Sequence, residues 1–393
     1  MKHFLPIIII FFFVLLLEHS FALPRFALMT GAKCGSCHVN PTGGQMRNEY
    51  GIRFSSDKIP LEALKDSDFT FSSKLTDNIS IGGDYRSQFI YDGLSKHTSF
   101  NSMTTTLYGA VTLSKKISFY FKHDIVNGTY GGLYGGIFNG TEVFGIAKIL
   151  PNGGYIKGGT FLPDYGWRYD DHTAYIRGGD IGFTGAGFHP GLIFIPNYKD
   201  IGIEVGINIE NLSITSGLFN GSGHTDPISF SPDKAYTAKV TYHGSASDLN
   251  YHIGVSGYGY RSYKMGGMSV GFGVSDIVVF GEIDWTHENL NVTPPVPPRP
   301  RINVGYNSMA LLAEANYRAI QGVWLIGRYE MFDPQLGRIN DPNGDPLNSI
   351  KRVTVGLEFF PYSFVECRPQ YRFVIETPSI QNDVAVVQMH LWF

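Results

Sequence analysis

Beyond residue 77, apolar and polar side chains alternate along most of the chain. In the segment "NISIGGDYRSQFIY", apolar residues such as Ile81, Tyr85 and Phe89 occupy every second position. Polar residues such as Asp84 and Arg86 fall between them. Successive side chains of a β-strand point to opposite faces of the sheet, so this period of two predicts strands with one apolar and one polar face. The pattern recurs in "VWLIGRYEM", "RVTVGLEF" and "FVECRPQYRFVI".

The connections between the alternating stretches differ in length. Turns such as 151–154, 245–247 and 361–363 are short, and they alternate with longer loops. Connections of this kind and an even strand number are typical of outer-membrane barrels. We therefore predict an all-β fold, an antiparallel transmembrane β-barrel of about 16 strands. The predicted strands are 78–92, 101–114, 116–126, 139–149, 153–161, 201–209, 211–219, 234–244, 247–260, 266–275, 276–287, 303–318, 320–332, 349–360, 363–376 and 382–393.

The C-terminus and two loops add to this picture. The last predicted strand, "DVAVVQMHLWF", alternates up to Phe393 and resembles the closing strand of bacterial outer-membrane proteins. The loop 292–302, "VTPPVPPRPRI", predicts a stiff polyproline-type segment outside the membrane. The longest loop, 162–200, either folds into the lumen or lies in external solvent, and its sequence leaves both open. Its ionisable residues include Asp164, Arg168, Asp170, Asp171, His172, Arg177 and Asp180.

The composition suits a membrane barrel and limits the function. Only 17% of the 393 residues are charged, against roughly 25% in soluble domains. The chain contains 29 Phe and 23 Tyr, which suits the aromatic girdles of such barrels. The formal net charge of −3 indicates no polyanion-binding surface, and no nucleic-acid partner is expected. No catalytic triad, paired glycosidase-type carboxylates or phosphate loop is discernible, so no hydrolytic or transferase activity is expected.

Residues 1–22 have the features of a signal peptide. Lys2 supplies the positive charge, Leu5–Leu17 forms the apolar core, and Ser20-Phe21-Ala22 provides a small-x-small cleavage site. The core is shorter than the about 18 residues that a membrane-spanning helix needs. We expect the mature chain to begin at Leu23 in an oxidising, extracytoplasmic compartment. The alternative is a retained N-terminal anchor.

Residues 32–44, "AKCGSCHVNPTGG", contain a Cys-x-x-Cys-His motif with three alternative functions. A zinc site needs four ligands, and the remaining cysteine, Cys367, is distant in sequence at a predicted lipid-facing position. A redox dithiol is typical of a βαβ context, which this Gly- and Pro-rich segment lacks. A c-type haem requires two thiols, here Cys34 and Cys37, for covalent attachment and the next residue, His38, as proximal iron ligand. The motif therefore favours one covalent haem c.

The second axial ligand of such a haem stays open. Met29 and Met46 are close in sequence, and they either ligate the iron or pack on the porphyrin. His123, His172 and His189 are candidates only if the haem lies inside the barrel. A second His or Met ligand would favour electron transfer, because a six-coordinate iron has no open position for a substrate.

The residues that flank the motif resemble a known family. Leu23-Pro24-Arg25-Phe26-Ala27 and Thr30-Gly31 precede it, and Tyr50-Gly51-Ile52-Arg53-Phe54 follows it. They are similar to the start of the fused outer-membrane cytochrome–porins, which include Fe(II)-oxidising cytochromes. The resemblance implies a monohaem cytochrome c-like segment at 23–70 and a porin-like barrel at 71–393. It also implies electron transfer across the outer membrane between periplasmic cytochromes or other carriers and an external donor or acceptor, with Fe(II) as one such donor.

Three functions are therefore considered. The first is outer-membrane electron transfer through one haem, held at the periplasmic side or inside the barrel and surrounded by membrane lipids. The second is a solute porin in which residues 23–70 act as a haem-bearing plug or redox gate. The third is a structural barrel with a metal-binding N-terminus. Charges predicted to face the lumen suit a wet pore or a packed polar interior equally, and they are Asp84, Arg86, Lys122, Asp124, Arg328, Glu330, Arg352, Glu358, Arg368 and Arg372.

Overall fold

The computed structural model describes residues 24–65, 69–127, 141–169, 171, 173–179, 192, 194, 198–221, 231–292, 302–336, 349–376 and 379–393. Over these residues the chain forms a closed barrel of sixteen antiparallel strands, in which β1 pairs with β16. The signal-peptide prediction for residues 1–22 and most of the proline-rich loop 292–302 fall outside the described residues. The strands are β1 Ile79–Asp92, β2 His97–Ser114, β3 Ile117–Asn127, β4 Thr141–Ala147, β5 Tyr155–Phe161, β6 Asp200–Ile209, β7 Leu212–Phe219, β8 Ala235–Ala246, β9 Leu249–Tyr260, β10 Tyr263–Val274, β11 Ile277–Val292, β12 Ile302–Ile320, β13 Val323–Asp333, β14 Ile350–Phe359, β15 Val365–Ile375 and β16 Val384–Trp392.

The predicted fold class and strand number are confirmed. The largest differences lie at strand ends, because β2 begins at His97 instead of 101 and β11 continues to Val292 instead of 287. The additional residues carry mostly polar side chains, yet they remain paired, His97 with Asp92 and Val292 with Ile302. Backbone hydrogen bonds thus extend the ladder beyond the point at which the apolar pattern ends.

The two faces of the barrel wall alternate as predicted. On β3, Phe119 and Phe121 are exposed on the outer surface, whereas Tyr120 and Lys122 are buried on the lumen side. An apolar outer surface is the one that lipid chains require. No helix among the described residues is long and apolar enough to cross a membrane.

The two ends of the barrel differ in their connections. Each even-numbered strand is joined to the next odd-numbered one by a short turn, and all these turns lie at one end. Several contain a residue in the left-handed region that tight turns use, such as Ser247 (φ 54°) and Ser275 (φ 52°). At the other end most loops are longer, but 93–96 and 261–262 are also short. Because β1 begins at the short-turn end, the N-terminal segment enters the barrel there.

Residues 24–65, here called the plug, lie inside the short-turn end of the barrel. The plug contains α1 (Pro24–Thr30), α2 (Glu49–Asp57) and 3-10 turns at Cys34–Ser36 and Glu62–Leu64. The side chain of Asn48 caps α2 by accepting a hydrogen bond from the Gly51 amide. Helix α1 packs against β9, β10 and β11.

Polar contacts tie the plug to widely separated parts of the barrel wall. They reach β4, the β6–β7 turn, β9, β14 and the β14–β15 turn, so the plug is held from several sides. The contacts are Gln45 Nε2 to Glu142 Oε1 (2.5 Å), Lys33 Nζ to the Glu210 carbonyl (2.9 Å), Asn250 Nδ2 to the Met29 carbonyl (3.2 Å), Leu61 N to the Phe360 carbonyl (2.8 Å) and the buried ion pair of Arg25 with Glu358.

The described part of the loop 162–200 folds into the lumen and crosses to the opposite wall. Its sequence is compatible with the lumen and with external solvent, and the structure shows the lumen. Its side chains and backbone bond to strands β11 to β13. The contacts are Tyr165 Oη to Asp284 (2.8 Å), Trp167 N to Glu282 (2.5 Å), Arg177 Nη2 to Glu282 (2.8 Å), Tyr169 Oη to Glu314 (2.5 Å) and Arg328 Nη1 to Asp171 (2.8 Å). Residues 170, 172 and 180 of this loop lie outside the described residues.

The charges predicted to line the lumen face the interior, and many form ion pairs there. Arg328, for example, lies 2.7 Å from Glu314 and 2.8 Å from Asp171, with its side chain 1% exposed. Burial of such pairs requires close geometry and further hydrogen bonds. Around these ion pairs the described interior is packed and polar, which favours the second of the two alternatives for these charges. Further pairs are Arg86–Asp84, Lys122–Asp124, Arg352–Glu330 and Arg368–Glu358.

Replacing Arg328 by alanine should lower the free energy of unfolding by about 3–5 kcal/mol, because the buried carboxylates of Asp171 and Glu314 lose their partner. The urea midpoint followed by tryptophan fluorescence measures this change. The matched control is Arg318→Ala, which breaks a pair with Asp276 whose side chains are 31% and 42% exposed. That change should cost at most about 1 kcal/mol. Equal effects of the two substitutions would contradict the packed interior.

Candidate functional site

The Cys-x-x-Cys-His motif forms a tight turn inside the barrel. The amides of Cys37 and His38 both donate to the Cys34 carbonyl at 3.3 Å. The following segment folds back over the motif, since a Cβ on Gly43 would lie 2.7 Å from the Cβ of Cys34. Gly43 also has φ 86°, a conformation that favours glycine. The glycine-rich sequence after the motif is thus explained by this close approach.

His38 is held in a defined orientation. Its side chain is buried, and Nδ1 lies 3.3 Å from the carbonyl oxygen of Met46. The backbone of His38 also pairs with Arg47. Histidines that bind metals commonly donate one ring nitrogen to a backbone carbonyl, which fixes the ring and its tautomer. The surroundings of His38 therefore fit an iron ligand.

The two cysteines do not have the environment of a redox dithiol. They are not joined by a disulfide. Burial raises the pKa of the Cys34 thiol, and it raises the pKa of Cys37 to about 12 although the nearby Arg47 guanidinium opposes the rise. Reactive dithiols instead have a lowered thiol pKa, because the thiolate is the nucleophile. The raised thiol pKa values thus do not favour a redox-dithiol function.

The geometry also opposes a zinc site at this motif. Cys367 lies on the outer face of β15 opposite Met389, away from the lumen. Within the described ranges, no group of three or more His, Cys, Asp and Glu side chains is arranged to hold a metal ion. A structural zinc site would require four such ligands.

A cavity of about 270 Å³ adjoins the motif. Cys34 and Trp167 line it together with residues of strands β6 to β9. Asp164, the one carboxylate in the described lining, is bound to Lys239 at 3.0 Å. The described cationic residues of the lining are Lys33, Lys148, Arg168 and Lys239.

This charge distribution permits a test of whether a haem suits the site. A c-type haem is bound by two cysteine thiols and a histidine, and it also carries two propionate carboxylates. The excess of cationic side chains around the cavity favours carboxylates there, because buried anions need charged partners. Cys34 supplies a thiol in this lining, whereas Cys37 and His38 belong to the same turn but not to the lining. The cationic side chains suit the propionates of a haem c.

The described residues do not bring the predicted distal candidates into this cavity. Met46 is buried against the opposite wall, where a Cβ on Gly82 would lie 3.5 Å from its Cγ. Neither Met46 nor Met29 belongs to the cavity lining. His123 is on the outward face of β3 with Phe121, because its position follows the alternation of that strand. His172 and His189 lie outside the described residues.

Two other histidines, which are not among the predicted distal candidates, line the cavity. They are His243 on β8 and His252 on β9. Strand alternation alone would have assigned both to the lumen face. Thr241 and His243, for example, are two residues apart on β8 and therefore point to the same face. Their proximity to Cys34, however, depends on the position of the plug.

Comparison with solved structures identifies the architecture. A porin refined at 1.8 Å resolution is 11% identical with a TM-score of 0.52, covering 80% of this chain and 100% of that chain. The outer-membrane channel DcaP of Acinetobacter baumannii is 12% identical with a TM-score of 0.52, covering 82% and 99%. OprB of Pseudomonas putida is 11% identical with a TM-score of 0.52, covering 80% and 94%. The chain has a porin fold.

The comparisons support the fold alone. No protein-family model matches the sequence, and no curated protein matches it. Within the porin fold, the plug and the inward-folded loop occupy the described lumen from its two ends. The plug, residues 24–65, carries the Cys-x-x-Cys-His motif.

Counting thiols should reveal covalent attachment independently of any spectrum. The chain contains three cysteines, Cys34, Cys37 and Cys367. If both motif thiols form thioethers, the reduced and denatured protein should show one alkylatable thiol, at Cys367, by mass spectrometry. Three alkylated cysteines in most molecules would contradict covalent attachment.

Proposed function

We propose that the protein is an outer-membrane barrel that holds one covalent haem c in its lumen and exchanges electrons between the two sides of the membrane. The observation that carries this proposal is the location of Cys34, Cys37 and His38 on a plug inside a porin-type barrel, beside a cavity whose charged side chains are mostly cationic. The apolar outer surface supports a membrane location, and the porin fold supports the outer membrane. The resemblance of the plug sequence to fused cytochrome–porins supports the cofactor.

The residues of the motif have separate roles in this proposal. The thiols of Cys34 and Cys37 would hold the haem covalently, and the His38 imidazole would bind its iron. The Met46 carbonyl orients His38 through Nδ1, 3.3 Å away. When bound, the haem iron supplies reversible one-electron oxidation and reduction.

The plug and the inward loop have a second role, which is to exclude solutes. Arg25 pairs with Glu358 on the wall, and Arg168 of the loop donates to Thr42 of the plug at 3.0 Å. Plug and loop are therefore bonded to each other as well as to the barrel. A lumen filled in this way suits a protein that transfers electrons more than one that passes solutes.

Each end of the barrel would contact a different electron-transfer partner. A periplasmic cytochrome or another electron carrier would contact the plug at the short-turn end, where Tyr50 and Arg53 are exposed. An external donor or acceptor would approach from the long-loop end. Fe(II) is the external donor that the resemblance to Fe(II)-oxidising cytochromes implies, and it would act as a substrate.

The competing function is a solute porin with a haem-bearing plug or redox gate. The porin fold shared with solved outer-membrane channels favours it. In that case the plug would have to move aside, and the wild-type barrel would conduct ions.

Proteoliposomes test the proposed function. Addition of a membrane-impermeant external redox couple should change the haem absorbance of the wild-type protein. The variant His38→Ala should retain the barrel, judged by heat-modifiable migration, and lose this response. A folded wild-type barrel whose haem does not respond would refute the electron-transfer role.

A further inference from the structure

Four lysines lie together at one side of the short-turn end of the barrel. Lys115 and Lys116 form the β2–β3 turn, and Lys148 directly follows β4. The Lys148 amide donates to the Lys116 carbonyl at 2.7 Å, so the two turns are neighbours. Lys33 of the plug and Lys148 both line the cavity that Cys34 also lines. These four lysines are here called the lysine rim.

The positive charges of the lysine rim are not neutralised by ion pairs. Lys115, Lys116 and Lys148 are exposed, and Lys33 is half-buried. Lys33 Nζ donates to the backbone carbonyl of Glu210 at 2.9 Å. Within the part of the chain that the structure describes, none of the four ammonium groups forms a salt bridge. Like charges grouped in this way attract a surface of the opposite sign.

The other half of the short-turn end carries charges of both signs. Asp57 and Glu62 of the plug lie there, because Gln321 Nε2 donates to the Glu62 carboxylate at 2.9 Å and to the Asp57 carbonyl at 3.4 Å. On the same half, Arg318 forms a salt bridge with Asp276. The formal net charge of −3 is an average over the whole chain. That average does not describe the local sign at the lysine rim.

A protein surface suits the lysine rim better than lipid headgroups or small anions do. Lys33 and Lys148 line a cavity inside the barrel, so they face the mouth instead of the lipid. An exposed pair of one lysine and one anion contributes at most about 1 kcal/mol, so a small anion would be held weakly. A protein with several surface carboxylates can contact all four lysines at once. Opposite charges on two protein surfaces also accelerate their encounter and fix its orientation.

We propose that the lysine rim is the docking surface of a periplasmic electron carrier whose own surface is acidic. The inference rests on the proposed function, since it names the chemistry of one partner of that function. Short turns are typical of the periplasmic end of such barrels. The lysine rim lies on the side of the plug where Cys34 borders its cavity. A carrier bound to this rim is therefore oriented over the same side as Cys34.

One probe protein in two charge forms tests the inference. Mitochondrial cytochrome c is basic, and succinylation of its lysines makes it acidic. The full chain in nanodiscs of neutral lipid should bind the succinylated form and leave the unmodified form unbound. At 0.1 M salt, where the Debye length is about 10 Å, the Lys116→Glu, Lys148→Glu double variant should lower the association rate at least about tenfold. Raising the salt concentration should slow association with the wild type and have little effect on the variant.

The matched control is the Lys58→Glu, Lys65→Glu double variant. It makes the same charge change on the other half of the short-turn end, where Lys65 Nζ donates to the Asp57 carbonyl. Because that half lies beyond a Debye length from the lysine rim, the association rate should stay within about twofold of the wild type. Equal losses in the two double variants would overturn the docking surface. So would an unchanged rate in Lys116→Glu, Lys148→Glu, and loss of co-purifying anionic lipid in that variant would then assign the lysines to lipid headgroups.

The outcomes separate this inference from the proposed function. Binding of the probe requires no haem in the barrel, so the Cys34→Ala, Cys37→Ala double variant should bind the succinylated form like the wild type. Absence of covalent haem from the wild type would refute electron transfer, whereas preferential binding of the acidic form would still support an acidic partner. A wild-type haem that exchanges electrons with the unmodified form and not with the succinylated form would support electron transfer and overturn the acidic partner. If the glutamate variant fails to fold, Lys116→Gln, Lys148→Gln removes the charges without reversing them and should also slow association.

Discussion

Protein purified from cells that assemble c-type cytochromes should retain one haem per chain after denaturation and acidic organic extraction. The reason is that two thioether bonds survive treatments that release a haem held only by iron ligation. Replacing Cys34 or Cys37 by alanine should abolish two-thioether attachment, and replacing both should abolish retention altogether. The measurement is haem per chain, from the pyridine haemochrome spectrum and intact mass.

Cys367→Ala is the matched control for this prediction. Cys367 lies on the outer face of β15 opposite Met389, so its removal should leave the haem content at the wild-type value. His38→Ala should keep the covalent bonds and change the ligation spectrum. Wild-type protein that loses all its haem to the organic phase would show that the motif does not attach haem c.

Single wild-type barrels in a planar bilayer should pass little ion current, and deletion of residues 24–65 should raise the conductance strongly. The plug is bonded to the wall by contacts such as that of Gln45 with Glu142 and fills the short-turn end. Without it, the described part of the loop 162–200 remains as a constriction in an otherwise porin-type lumen. The measured quantity is the single-channel conductance at fixed salt and voltage.

Arg53→Ala provides the control for the conductance measurement, because its side chain is 75% exposed at the end of the plug. This change should leave the conductance low. A wild-type barrel with the steady conductance of an open porin would contradict a closed lumen and favour the solute-porin function.

The barrel was predictable from the sequence because its determinants are local. Alternation with a period of two assigned each strand and its inward face, and Phe121 and Lys122 illustrate how neighbouring residues separate to the two sides. The beginning of β2 was missed because His97 has no apolar signal and is held by backbone pairing with Asp92. Backbone pairing depends on the position of the partner strand. The alternation of apolar and polar residues along one strand carries no information about that position.

The candidate site was predictable only in part. The spacing of Cys34, Cys37 and His38 predicts a haem c, since the attachment chemistry depends on adjacent residues, and this cofactor stays a prediction. The direction of the loop 162–200 was not predictable, because its charges suit water as well as they suit the lumen. Its partners are distant in sequence, as in the bond of Arg177 to Glu282. The proximity of His243 to the motif likewise results from the packing of the plug against the wall.

Electron transfer across a sealed proteoliposome membrane provides a direct test of the proposed function. A reductant and a fluorescent dye are trapped inside, and an impermeant acceptor is added outside. We expect wild-type protein to reduce the external acceptor while the dye stays inside, and the Cys34→Ala, Cys37→Ala double variant to leave the acceptor oxidised. Escape of the dye, with acceptor reduction no faster than in the double variant, would contradict it.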